Sequence, residues 1–373
     1  MPLKTSIDKP HCSGDEKTIT FTVVDSLQDL MPERDQIDSL SSVPFLKSSW
    51  MFSWIETYCG PDCQLQFLIA KDINSTIIGY APLALKNSAK RGRHLVFIGS
   101  GKTCADYMTF PTVPGCKKAF IQGFADWLLA NREWDRIELD GVTCDDEAVR
   151  ALASETEERG CITQMIPTLS SWRMELPENW EAILQNLSKN RRKKYRQLAK
   201  KLDGKTELHE ATDADSLQEG LQILERLHTA RWNSLGEEGC FGHPGFREHL
   251  SLMAKEKLAS QTLSLIWLTF EGQPIAADIG YYGEGGMFTY QGGVSPDHLH
   301  LEPGRAILKC QMELAMQRNA AFIDFLRGDE PYKAQFKAEQ IDNMRCEIVH
   351  PSIRAKSIHS LLQIGRLAKA LLK

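Results

Sequence analysis

The sequence predicts two tandem domains of mixed α/β class, each a sheet with helices packed on it. Three observations carry that expectation. The chain has 373 residues, which at roughly 100–200 residues per domain makes about two, and 42% of them are apolar, enough for a core in each. Segments with the two-residue period of strands alternate with segments of helical period along the chain. Finally, one order of elements occurs twice. FLIAKDINSTIIGYAPL, then a loop, a helix and WDRIELDG, corresponds to LIWLTFEGQPIAADIGY, then a loop, a helix and AAFIDFLRG. The copies lie too far apart for a short solenoid repeat, so a duplicated domain is expected. The domains are placed at 1–170 and 171–373, with the boundary in the Pro167–Pro177 stretch.

After a polar leader, Thr18–Val24 alternates as a strand, and 26–58 carries helical spacing broken at Pro32 and Pro44. Leu65–Lys71 and Thr76–Leu85 flank the turn DINS, and His94–Ile98 is a further strand. Lys117–Asn131 has apolar residues at 120, 121, 124, 127 and 128, the stripe of a helix lying on a sheet, and Arg136–Leu139 is the strand after it. In the second half 181–202, 215–235 and 246–258 read as helices. Leu263–Phe270, Ile275–Tyr282 and Met287–Val294 read as strands joined by the turns EGQP and GEGG. A helix over Ala306–Arg318 and a strand over Phe322–Leu326 complete the pattern.

Composition excludes several classes. Basic and acidic residues number 44 and 49, a net charge of −5, which argues against a general nucleic-acid binder while leaving room for a local basic face. No apolar run approaches the roughly 18 residues of a membrane span, and the start is polar, so a soluble cytoplasmic chain without a membrane partner is expected. Ten scattered cysteines are expected to be reduced. Cys59 and Cys63 have no second pair or nearby histidine, and His298 and His300 flank only Leu299, so no metal site is expected. GSGKT, Gly99–Thr103, follows an apolar strand but has Val96 where a phosphate loop needs its first glycine, and prolines follow where the helix is required.

The loop HLHLEPGRAILKC, His298–Cys310, carries more. Pro303 suits a first helical turn, and Gly304 and Ala306 let a ligand approach free N–H groups, with Arg305 adding a cation. With this PGRA followed by IDFLRGDEPYKAQF, the chain resembles the tandem-domain branch of the GNAT acyltransferase superfamily. By look it is nearest the acetyltransferases grouped with cellulose-biosynthesis accessory proteins, and more distantly the Fem-type aminoacyltransferases. The resemblance spans about 45–350 and is strongest over 263–337, with Asp324–Lys333 its most specific part. It implies two fused GNAT-like acyl-CoA N-acyltransferase domains, the carboxy-terminal one carrying the donor cleft. In the superfamily a Q/R-x-x-G-x-G/A loop holds the pyrophosphate of acyl-CoA; LEPGRA supplies Gly304 and Ala306 but has Leu301 in the first place.

The resemblance implies an amine acceptor that must lose a proton, a thioester carbonyl that needs donors, and a leaving thiolate that needs an acid. Asp324 and Asp278 are candidates for base or acceptor anchor, Tyr332 for the acid, and Arg327 with Lys333 for substrate anions. Asp324 and Arg327 serve equally as an ion pair fixing the turn. Val294, Gly304, Arg305 and Ala306 are the donor candidates; Tyr290, Gln291 and Trp232 are candidates for the acceptor wall, or packing residues. The segment SKNRRKKYRQLAKK has eight basic residues and no acid on a helix whose other face is apolar. It reads either as a solvated face or as a contact, over 189–201, for the phosphates of an acyl-carrier protein, coenzyme A or transfer RNA. The expected reaction is acyl transfer from an acyl-CoA or acyl-carrier thioester to a primary amine. Aminoacyl transfer from transfer RNA and a non-catalytic binding scaffold are the alternatives.

Overall fold

A computed structural model describes residues 19–371; the polar leader and Cys12 lie outside the described residues. Fourteen strands form two mixed seven-stranded sheets, accompanied among the described residues by 12 α-helices. The strands are β1 (Thr20–Val24), β2 (Cys63–Lys71), β3 (Ile77–Ser88), β4 (Gly92–Phe97), β5 (Arg136–Thr143), β6 (Ile162–Pro167) and β7 (Ser171–Glu175). The remainder are β8 (Thr206–Glu210), β9 (Leu263–Phe270), β10 (Gln273–Gly283), β11 (Gly286–Val294), β12 (Phe322–Arg327), β13 (Glu339–Ile341) and β14 (Asn343–Val349).

The first sheet runs β1-β2-β3-β4-β5-β14-β6 and the second β8-β9-β10-β11-β12-β7-β13. Position by position they correspond, each antiparallel except for one parallel pair in the middle, β4 with β5 and β11 with β12. The duplication expected from the sequence is therefore a duplication of fold. The expected boundaries need one correction. The second unit is Leu169–Asp342, and the first closes at Thr168 and resumes at Asn343. The cause is strand order: β7 enters the second sheet between β12 and β13, and the slot between β5 and β6 is filled by β14, which pairs Cys346 with Leu139 and with Met165. Nothing in the local pattern marks this, because β14 is buried on nearly every residue and shows no two-residue period.

The first unit buries Trp50, Phe67, Tyr80, Phe97, Phe110, Phe120 and Phe124, with the Tyr80 hydroxyl donating to the Leu46 carbonyl at 3.0 Å. GSGKT forms only the 3-10 turn Gly101–Thr103. In the second unit the helix Ala214–Asn233 and the helix Pro303–Gln317 both pack on β9–β11. Ile266, Leu268, Met287, Ile307, Met312 and Ile323 form its core. The expected helix over 181–202 is two, Trp180–Asn186 and Lys189–Leu202, parted where Leu187 is extended. The second of them buries Tyr195, Leu198 and Leu202 and leaves its lysines out. Among the described residues no helix is long and apolar enough to cross a membrane, and no group of three or more potential ligands could hold a metal ion.

Candidate active site

The second sheet opens where its parallel pair ends. β11 and β12 share register only at Met287 with Ile323 and Phe288 with Asp324. Directly beyond, Ile279 of β10 faces Gln291 and Gly280 faces Thr289, so Tyr290 is an extra residue in β11. A bulge of this kind bends its strand and increases its twist, which carries 290–294 away from β12. Gly280 permits it: a Cβ there would stand 2.3 Å from the Phe288 carbonyl oxygen.

Asp278 lies at this opening, paired across the sheet with Gly292. A Cβ at Gly292 would stand 3.0 Å from Asp278 Oδ2, so the carboxylate leans over the bulged strand. Its Oδ1 is buried and, among the described residues, has no hydrogen-bond partner. Burial holds the carboxyl well above the usual carboxylate range, as expected for a charge that nothing nearby compensates. Tyr332 sits on the short helix Pro331–Gln335, its ring edge against Phe325 at 5.8 Å. The residue is 38% exposed, yet burial around its hydroxyl pushes its pKa up, with the charges of Glu330 and Asp278 adding to the effect. Asp278 and Tyr332 thus share one electrostatic neighbourhood.

The helix that follows the opening starts at Pro303, after Glu302 in a left-handed conformation. Gly304 is exposed, and a Cβ there would meet only Val294 Cγ1, at 3.6 Å, so the space over this helix start is open. Arg305 is less available than its sequence position implied. Its guanidinium pairs with Glu302 at 2.8 Å and lies 5.5 Å over the Tyr195 ring, tying the helix start to the basic helix. Ala306 is buried beneath it. Lys201 Nζ donates to the His300 carbonyl at 2.7 Å, a second tie between the basic helix and the loop before Pro303.

Two expected site residues serve the fold instead. Asp324 is fully buried: its Oδ2 accepts from Arg173 Nε at 2.9 Å and its Oδ1 from the Leu326 N–H at 2.8 Å. Leu326 has a φ of 54°, a conformation costly for a leucine, and the Asp324 carboxylate holds it there. Arg173 spreads over the Phe322 ring at 4.0 Å. A carboxylate with both oxygens engaged in this way is an anchor for the end of β12. Lys333, expected to bind substrate, is 1% exposed and its ammonium spans the same turn. It donates to the carbonyls of Leu326 and Gly328, both at 3.1 Å, and pairs with Glu330 at 2.8 Å, which uses its three donors. Arg327 is half-buried at the end of β12, opposite Ser171.

Tyr290, Gln291 and Trp232 come together with Phe241, which the sequence also offered for the acceptor wall, and with His228, Phe246 and Tyr281, which sequence reasoning missed. Tyr290 lies 6.3 Å from Phe246 and 5.4 Å from Tyr281. Gln291 adds slightly to the proton affinity of the His228 ring, which lies 5.8 Å from Trp232 and 5.1 Å from Phe241. Burial pulls His228 down to about 4, so it is neutral at pH 7, and its Nε2 lies 3.3 Å from Cys240 Sγ. The helix bearing His228 comes this close to β11 because position 293 is glycine; a Cβ there would be 2.4 Å from the His228 nitrogen. The spacing of His228 and Trp232 puts both on one helical face, a signal indistinguishable from ordinary core periodicity.

Residues 189–334 match a family model described as an acetyltransferase (GNAT) domain. Among solved structures, FemX superposes with a TM-score of 0.61 at 11% identity, covering 89% of this chain and 97% of that one. A conserved protein of unknown function from Bacteroides thetaiotaomicron VPI-5482 gives 0.55 at 14% identity, with 88% and 100% covered. L-PGS from Bacillus licheniformis gives 0.51 at 10%, with 91% and 95% covered. At such identities the likeness is one of fold. No sequence among curated proteins matches this chain. The split sheet and the helix start beside it lie within the segment that matches the acetyltransferase (GNAT) domain model, and the two sheets share one strand order. At the general level a domain of that description transfers acyl groups.

Proposed function

We propose that the second unit transfers an acyl group from an acyl-CoA or acyl-carrier thioester to a primary amine. The observation that carries the reading is the Asp278 carboxylate, buried and with one oxygen unpartnered among the described residues, leaning over Gly292 where the sheet opens. The amine attacks the thioester carbonyl, the C–N bond forms and the C–S bond breaks. Asp278, whose surroundings raise its affinity for a proton, takes one from the amine, and Tyr332, held protonated at neutral pH, gives one to the leaving thiolate. Gly304, with Val294 bounding the space above it and Ala306 packed beneath, leaves room for the donor's phosphate-bearing arm at the helix start. Tyr290, Gln291 and Trp232 wall the acceptor side, and Arg327 flanks it.

The test is incubation with acetyl-CoA and a panel of primary amines, reading free thiol by colorimetry and acylated product by mass spectrometry. Product formed by the wild type and reduced about 10²-fold in Asp278→Asn, the scale of one acid–base group, supports the reading. Thiol release unaffected by that substitution overturns the role of Asp278, and a folded chain that turns over no thioester favours a binding scaffold. A second reading, aminoacyl transfer from transfer RNA, is favoured by the exposed Lys193, Lys194 and Lys200 on a helix tied to the donor loop through Lys201, and by the fold shared with FemX.

A further inference from the structure

In the first unit the helix Ser48–Tyr58 ends at Cys59, whose N–H bonds to the Ile55 carbonyl at 3.0 Å. Pro61 and Asp62 then turn the chain, and Gly60 and Cys63 close the turn with reciprocal backbone bonds of 2.8 and 3.1 Å. This compact C-x3-C loop, closed by the Gly60–Cys63 bridge, sets the two cysteines side by side on the wall of one cavity. In the ladder of β2 and β3, Lys86 stands directly opposite Cys63, its ammonium 5.2 Å over the Trp54 ring. Cys63 is 7% exposed and Cys59 half-buried. Both line a cavity of about 500 Å³ whose other walls include Asp25, Leu27, Ile55 and Glu56, which admits a small reagent.

We infer that Cys59 and Cys63 are a reversible thiol-modification site that closes to a disulfide at the expense of a small uncharged disulfide. Three facts converge on it: a closed turn that sets the two cysteines beside each other, a cation opposite one of them, and a cavity giving access to both. Cys63 is the attacking thiol, because the Cys59 S–H donates to its sulfur and, with Lys86, favours the thiolate against the cost of burial. The same hydrogen bond, with burial, pushes Cys59 up and keeps it protonated until its turn comes. The Cys63 thiolate attacks RS–SR, forming Cys63–S–SR and expelling RS⁻. Cys59 then loses its proton to solvent and attacks the Cys63 sulfur, forming the Cys59–Cys63 bond and expelling the second RS⁻. Two electrons pass from the protein to the reagent. An uncharged reagent is specified because Asp25 and Glu56 face the cavity.

The site is independent of the transferase reading, and its test uses the full chain without donor or acceptor. The protein is treated with hydroxyethyl disulfide at neutral pH and its cysteines are mapped by peptide mass spectrometry, with the exposed Cys104 as internal reference. In the wild type, Cys59 and Cys63 are expected to lose the mass of two hydrogens together, without adduct. Cys59→Ser should stop at the mixed disulfide on Cys63, and Lys86→Gln should slow the first step by about threefold to tenfold. Reaction at Cys104 with none at Cys59 or Cys63 overturns the inference. So does a wild-type adduct that never closes, or unchanged kinetics in Lys86→Gln.

Discussion

Asp278 and Asp324 are two aspartates of one sheet in opposite surroundings, and that difference predicts opposite behaviour. Burial raises Asp278 above its unfolded value of 3.8, so its protonated form favours the fold. That contribution is fully present below pH 3.8 and is lost as pH rises through the raised value; at neutral pH the charge costs stability. Asp278→Asn should therefore raise the Tm at pH 7 by a few degrees while lowering turnover about 10²-fold. Melts between pH 5 and 8 should show the gap to wild type widening with pH. Asp324→Asn should do the reverse, because it removes the charge facing Arg173 and weakens the hold on Leu326. A loss of about 2 kcal/mol, several degrees of Tm, is expected with near-normal turnover per folded molecule; a collapse of turnover at unchanged Tm would return Asp324 to the chemistry.

At the scale of elements, the start of the Pro303–Gln317 helix and the basic helix beside it make separate predictions. Gly304→Leu places a side chain in the open space bounded by Val294, and should weaken acyl-CoA binding tenfold or more in calorimetry with little change in Tm. Equal affinity would mean that the donor lies elsewhere. Lys193, Lys194 and Lys200 are exposed, whereas Tyr195, Leu198 and Leu202 are packed into the core. Changing the three lysines to Gln should leave the fold intact and, if a polyanion docks here, reduce the slope of log affinity against log salt by about one per lysine. Titrating the variant with transfer RNA and with a phosphopantetheinylated carrier protein separates those partners. No change with either assigns the helix a solvated face.

At the scale of the whole molecule, the strand order makes the two units unequal in sequence terms. The second is one continuous stretch, Leu169–Asp342, and contains all seven strands of its sheet; the first depends on β14 from the far end of the chain. A fragment of residues 169–342 should melt cooperatively by circular dichroism, whereas a chain truncated after Asp342 should lose the first unit's transition, because β5 and β6 are left without the strand between them. Survival of both transitions would show that β14 is dispensable. The same strand marks how far the sequence reaches. Local periodicity determined most elements, the hairpins β2–β3 and β9–β10, the duplication and the helix start at Pro303, because each depends on residues a few positions apart. The tertiary structure decided which strand fills the sixth place in each sheet, that Arg173 claims Asp324, that Lys333 is spent on its own turn, and that Asp278 has an unpartnered oxygen. Those outcomes depend on pairing and burial between segments up to two hundred residues apart, and no local pattern of amino acids encodes them by itself.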